Sequence, residues 1–429
     1  MRGALCGRDR GAVLLRLRRV LEAQRALPAN VRALGWVSFA NDAACELAYP
    51  IVPFFLRSTL GASYAIIGII EGVANGVAVG LVGLAGLLSD RAGERRKPWI
   101  AVGYGLTTLS RPLLALAHGW GLVLGSKLAD RVGKAARTAP RDALIRDSSD
   151  ERRLGSSFGY HRALDSAGAV LGPLAAVVLL RVFHVSLRTA LWFVVVPSAV
   201  ALALVAAVKE APARERREIA PRGRIRDLPP AFWAVLAVWT LFSAGNSADA
   251  FLLLRAGSIG IGTSLAVLAY AVYQLVYSSL SWPLGALSDR IPRTHLLAAG
   301  LVVFALVYLG FARLPGSWAV WILFPVYGAY VAATDGVAKA WVGDHAPPGL
   351  AGTAFGVFSA ATGAALLVAS VVAGLLWSKV SASAPFYMGA AAAALALVLL
   401  PVAAGLPRSR KDRRVDRSFQ TDVRETRPS

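Results

Sequence analysis

Apolar segments of 20 to 27 residues recur along the whole chain, divided by short polar connections. A helix of that length crosses a hydrocarbon core of roughly 30 Å, and backbone polar groups in lipid must be satisfied within the segment itself. The segments fall at 33–56, 64–89, 98–117, 119–139, 156–180, 187–208, 230–254, 263–287, 294–314, 317–341, 351–377 and 384–404, which makes twelve. With 56% hydrophobic residues, 17% charged residues and a mean hydropathy of +0.55, the chain holds more apolar surface than a soluble domain can hide. The fold class read from this pattern is an all-α membrane protein of twelve transmembrane helices.

The longest polar break lies at 209–229, a Pro- and Arg-rich stretch that divides a six-helix bundle at 33–208 from a second at 230–404. A basic N-tail, 1–32, and a basic C-tail, 405–429, flank them. Lys and Arg crowd both tails and the central linker. The connections on the other side hold only Arg57, Arg181, Arg188, Arg255, Arg313 and Lys379. That bias places both termini in the cytoplasm of a cell-membrane protein. The net charge of +21 therefore reads as inside-loop charge, not as a nucleic-acid surface. Cys6 in a tail and Cys45 in the first span offer neither a disulfide framework nor metal-ligand spacing, so no metal or cofactor is expected.

The two bundles repeat each other. GLLSDR at 86–91 returns as GALSDR at 285–290, DRVGKAA at 130–136 as DGVAKA at 335–340, and FGYHRALDSAGA at 158–169 as FGVFSAATGAA at 355–365. Asn75 stands fifteen residues before Asp90, and Gln274 fifteen before Asp289. Repeats that run in one direction across six spans imply halves related by an axis normal to the membrane, with a cavity between them.

GLLSDRAGERRKP at 86–98 resembles the loop between the second and third helices of the major facilitator superfamily, roughly G-x-x-x-D-R-x-G-R-x-R-R. Gly86, Asp90, Arg91, Gly93, Arg96 and Lys97 match, and Glu94 stands where Arg or Lys is usual. The second copy keeps Gly285, Asp289, Arg290 and Arg293 but has Pro292 in place of the glycine. The resemblance implies the twelve-helix major facilitator fold, alternating access, and a latch at Gly86, Asp90, Arg91, Gly93 and Arg96, with Asp289 and Arg290 as degenerate counterparts. An Asp in the last turn of a helix opposes that helix's dipole, so Asp90 needs a partner elsewhere. In the fifth span Gly168, Gly172 and Pro173 read G-x-x-x-G-P, which resembles the core of a pattern in drug:proton antiporters of the superfamily; helix packing alone explains it as well.

The embedded charges carry the most chemistry. Each ionised side chain near the bilayer centre costs roughly 2.5–3.5 kcal/mol on insertion scales, so it must face the bundle interior or a wet cavity. The first half holds Asp42, Glu46, Glu71, Arg111, Lys127, Asp130, Arg131, Lys134, His161, Arg162 and Asp165; the second holds only Asp249, Asp335 and Lys339. Asp42 and Glu46 share a helix face at i, i+4, and Lys127, Asp130, Arg131 and Lys134 form an array at i, i+3, i+4 and i+7. RVGKAAR at 131–137 partly resembles a fourth-helix pattern that the superfamily ties to proton transfer. Tyr270 and Gln274 lie on one face of the eighth span, with Tyr273 and Tyr277 close by.

Asp42, Glu46, Glu71, Arg111, Asp130, Arg131, Asp165, Tyr270 and Gln274 are therefore the candidates for proton coupling or substrate contact. The chain reads as a secondary transporter that exports a small, partly apolar compound against protons, as a monomer. Two alternatives stand beside it. One is an uptake symporter or facilitator for a polar or anionic metabolite, with Arg111, Arg131 and Arg162 as anion ligands. The other is a non-transporting receptor derived from the fold. No nucleophile turn, metal set or Walker loop points to an enzyme.

Overall fold

The structure, a computed structural model, describes residues 27–91, 96–150, 153–210, 225–314, 316–347 and 350–405. Most of the N-tail, the linker between 211 and 224 and the C-tail beyond Gly405 lie outside the described residues. Every regular element within them is helical.

The helices line up as twelve rods. The first half comprises α1 (Ala29–Ala48, continued by Val52–Phe54 and Phe55–Thr59), α2 (Tyr64–Arg91), α3 (Lys97–Ala115), α4 (Trp120–Ser148), α5 (Leu154–Arg181) and α6 (Leu187–Phe193 and Val195–Val205). The second comprises α7 (Pro230–Ser243 and Ala250–Ser258), α8 (Thr263–Ser288), α9 (Arg293–Arg313), α10 (Val320–His345), α11 (Ala351–Lys379) and α12 (Ala384–Gly405). Their starts follow from the sequence. Pro98 and Pro230 open α3 and α7 where a missing N–H costs nothing, and the Ser186 hydroxyl accepts a hydrogen bond from the Thr189 N–H at the start of α6.

Seven helical stretches among the described residues, corresponding to α5, α6 and α8 to α12, are long and apolar enough to span a bilayer unaided. Of the others, α1 is interrupted after Ala48 and α7 after Ser243, and α3 and α4 carry Arg111 and the charge array. Embedded charges thus dilute hydropathy along α3 and α4.

Two irregularities repeat between the halves. The first rod of each is broken: α1 at Tyr49–Ile51, where Pro50 supplies no N–H, and α7 over Ala244–Asp249. Each then turns into the second rod through a glycine in the left-handed region, Gly61 at φ 66° and Gly260 at φ 93°, which side chains rarely adopt. The sequence pattern had predicted continuous spans over 33–56 and 230–254. The structure corrects this, because unwound polar backbone is tolerated in a membrane where protein buries it.

The halves meet along α2 with α11 and α5 with α8. At the end marked by Tyr64 and Lys379 the contact is tight. A Cβ on Gly68 would stand 2.4 Å from the Ser370 carbonyl oxygen, and one on Gly374 would stand 2.5 Å from that of Tyr64. Tyr64 stacks on Trp377 at 4.6 Å, and the Ala65 N–H donates to the Ser378 hydroxyl. At the opposite end Gly155 and Gly159 of α5, Gly285 of α8 and Gly352 and Gly356 of α11 face nothing within 4 Å. Among the described residues, one end of the bundle is sealed and the other is loosely packed.

Candidate functional site

The embedded residues gather where α1, α2, α3, α4 and α8 cross. On α1 the Glu46 carboxylate accepts hydrogen bonds at Oε2 from the Tyr270 hydroxyl and from Gln274 Nε2, each 3.0 Å away. Both donors come from α8 of the second half. Tyr270 also stacks on Tyr49 at 5.6 Å, so the contact between halves has a polar centre and an aromatic edge. One turn earlier, Asp42 accepts from Asn41 at 3.0 Å, and its carboxyl adjoins that of Asp165 on α5. Asp165 is held by the Ser38 hydroxyl at 2.8 Å and by Arg162 at 3.0 Å.

The charges of α4 divide among neighbours. Lys127 pairs with Glu71 of α2, which is 1% exposed, and sits 5.7 Å above the Tyr49 ring. Asp130 pairs with Arg111 of α3 at 3.1 Å. Among the described residues Arg131 makes only a long contact, 3.5 Å, to the Asn75 side-chain oxygen. Lys134 is exposed and forms no ion pair among the described residues. Farther along the rod Arg137 is buried over the Tyr104 ring and donates to Thr107. Arg111 and Asp130 thus hold each other, as do Arg162 and Asp165; among the described residues Arg131 is left without an acid of its own.

Sequence reasoning noticed Asp249 as an embedded acid but not as part of a site. It lies at the end of the break in α7 and accepts from Tyr327 at 2.7 Å and from Tyr273 at 3.3 Å, with no ion-pair partner among the described residues. Asn246 in the same break bonds Tyr308 and Tyr330. The polar run Gly245-Asn246-Ser247-Ala248-Asp249 inside an apolar span was the signal for it. Near the loosely packed end, Asp335 pairs with Lys339 on its own helix and accepts from Tyr277.

The latch residues fall partly outside the described residues. Gly86, Asp90 and Arg91 lie on the last turns of α2 with side chains not described, and Gly93 is outside altogether. Arg96 pairs with Asp147, the penultimate residue of α4, and its N–H donates to Glu210 beyond α6. In the second half Arg293 opens α9 and pairs with Asp344, the penultimate residue of α10, at 3.1 Å, and with Asp289 at 3.6 Å. The two pairs are counterparts, and each stays within its own half. Arg290 donates its backbone N–H to Leu287. An open recess of about 440 Å³ beside Arg293, Trp341 and His345 touches none of the embedded residues.

Gly168 and Gly172 do a specific packing task. A Cβ on either would stand 2.4 to 2.5 Å from a carbonyl oxygen of α1, at Phe39 and Ala43, so these glycines set how closely α5 approaches the rod bearing Asp42 and Glu46. Pro173 is buried beside them.

Two six-helix halves around a charged centre define a multi-pass secondary transporter that handles small molecules. The profile of the Major Facilitator Superfamily matches residues 34–266 and 250–427, and the chain belongs to that family. It is 33% identical over 386 residues to an uncharacterized MFS-type transporter of Methanocaldococcus jannaschii, covering 88% of this chain and 96% of that one. In fold it is similar to the nucleoside transporter NupG, with a TM-score of 0.73 at 13% identity over 87% of this chain and 99% of the other. It is also similar to an inward-facing bacterial homolog of the human lysosomal transporter Spinster, with a TM-score of 0.66 at 16% identity over 87% and 94%. Membership makes the chain a transporter and not an enzyme.

Proposed function

We propose that this transporter exports a small, partly apolar compound in exchange for protons. It acts as a monomer in the cell membrane with both termini cytoplasmic. The observation that carries this reading is Glu46, an acid at mid-span in the first half whose hydrogen-bond donors, Tyr270 and Gln274, belong to the second. Burial favours the neutral acid and hydrogen-bond donors favour the carboxylate, so a rocking motion that removes the donors also changes proton affinity. That the carboxyls of Asp42 and Asp165 adjoin in the same region supports the reading, since two neighbouring acids favour sharing one proton. With both termini inside, the sealed end of the bundle is the outer one, which supports an inward-open state in which cytoplasmic compound can enter. The partial G-x-x-x-G-P pattern supports export.

The test is proton flux into liposomes that contain the purified protein and a pH-sensitive dye. A panel of cationic, neutral and anionic compounds is added to wild type, Asp42→Asn and Glu46→Gln. Compound-dependent proton movement that disappears in Glu46→Gln is the expected result. Equal movement of compound in wild type and variant without protons would replace the reading with a facilitator.

A further inference from the structure

Between α1, α3 and α4 lies a cavity of about 40 Å³, lined on its polar side by Cys45, Tyr49, Arg111, Lys127, Asp130 and Arg131. That is room for about two or three waters, or for one carboxylate or phosphate group. Three cations and one acid line it. Asp130 is engaged by Arg111, and Glu71, just behind the wall, is engaged by Lys127. Among the described residues Arg131 remains with a single long contact, to Asn75. Arg111, 4% exposed, keeps an Nε–H with no acceptor among the described residues. A guanidinium inside a membrane span needs a counter-charge, and donors without acceptors at a cavity wall mark where one belongs.

We infer that the cavity is the anchor for the acidic group of an organic-anion substrate, with Arg131 as its principal ligand and Arg111 as a second donor. The guanidinium fork offers a carboxylate or phosphate two parallel hydrogen bonds, which the Lys127 ammonium, held by Glu71, does not. Tyr49 lines the cavity and stacks on Tyr270, which leads to Tyr273 at 5.2 Å and from there to Tyr327 at 5.4 Å. Tyr49 is thus the aromatic wall that an apolar or aromatic body joined to the acid would meet, backed by Tyr270, Tyr273 and Tyr327, which are buried against one another. This inference rests on the transport reading but not on its proton coupling. It narrows the anion ligands to Arg131 and Arg111, because Arg162 is held by Asp165 outside the cavity.

Cys45 sits in the wall and reports on the cavity directly. The only other cysteine is Cys6, so Cys6→Ser leaves one thiol. The rates at which anionic sulfonatoethyl methanethiosulfonate and cationic trimethylammonioethyl methanethiosulfonate modify Cys45 are compared, each normalised to its rate with a small thiol in solution. A cationic cleft concentrates anions by about tenfold or more, so the anionic reagent is expected to lead by at least about that ratio. Arg131→Gln collapses the preference several-fold, Arg131→Lys retains most of it, and gel filtration shows both variants folded. A cationic preference, no preference, or no reaction with either reagent overturns the inference. Loss of proton flux with the anionic preference intact would refute coupling and leave the anion site standing.

Discussion

Replacing Gly68 by alanine at the sealed end should shift the balance between the two faces of the transporter. The new Cβ would stand 2.4 Å from the Ser370 carbonyl oxygen and 3.1 Å from the Gly374 Cα, whereas ordinary contacts begin at 3.4 Å. The helices must therefore separate by about 1 Å where both partners are backbone and cannot rotate away. Overpacking of this kind costs about 1–3 kcal/mol. The cost falls only on the state in which α2 and α11 touch, so it converts into a shift of about 5- to 150-fold toward the state open at that end. Spin labels at Thr59→Cys and Lys379→Cys in a chain lacking Cys6 and Cys45 would read this by pulsed EPR. A longer-distance population should grow in Gly68→Ala and not in the control Gly285→Ala, which meets nothing within 4 Å. An unchanged distance distribution with lower thermal stability would refute the argument and leave Gly68 as simple packing.

Two further outcomes follow from the ion pairs. Lys127→Met leaves Glu71 buried and unpaired and should destabilise by about 3–5 kcal/mol, whereas Lys127→Met with Glu71→Gln should recover most of that in a thermal-unfolding double-mutant cycle. Arg96→Ala should lower thermal stability more than Arg293→Ala, because Asp147 is fully buried while Asp344 is about one-third exposed.

Much of the architecture was readable because membrane helices obey a length rule and the duplicated GxxSDR motif fixes the repeat. The shared face of Asp42 and Glu46 and the stripe of Tyr270 and Gln274 followed from helical spacing alone. That one stripe would meet the other's Glu46 did not, since which faces oppose depends on how α1 and α8 rotate in the packed bundle. The same limit hid the partners of Lys127 and Arg111, which sit on α2 and α4, and left Arg131 looking like Lys127 although among the described residues it pairs with no acid. The breaks in α1 and α7 escaped because hydropathy averages over a window, and a five-residue polar run within 25 apolar positions barely lowers the mean. Asp249 was seen as an embedded acid, but its tyrosine partners come from α8 and α10, beyond the reach of any local pattern.

The account turns on Glu46 as the acid that links the halves to the proton. With a compound found to move protons, two rates should be measured on the same Glu46→Gln proteoliposomes: exchange of labelled for unlabelled compound without a gradient, and accumulation driven by a pH difference. Coupling through Glu46 predicts that exchange persists within a few-fold of wild type while driven accumulation disappears. Driven accumulation that survives at the wild-type level would contradict the claim and make the Glu46, Tyr270 and Gln274 contact a structural tie between the halves.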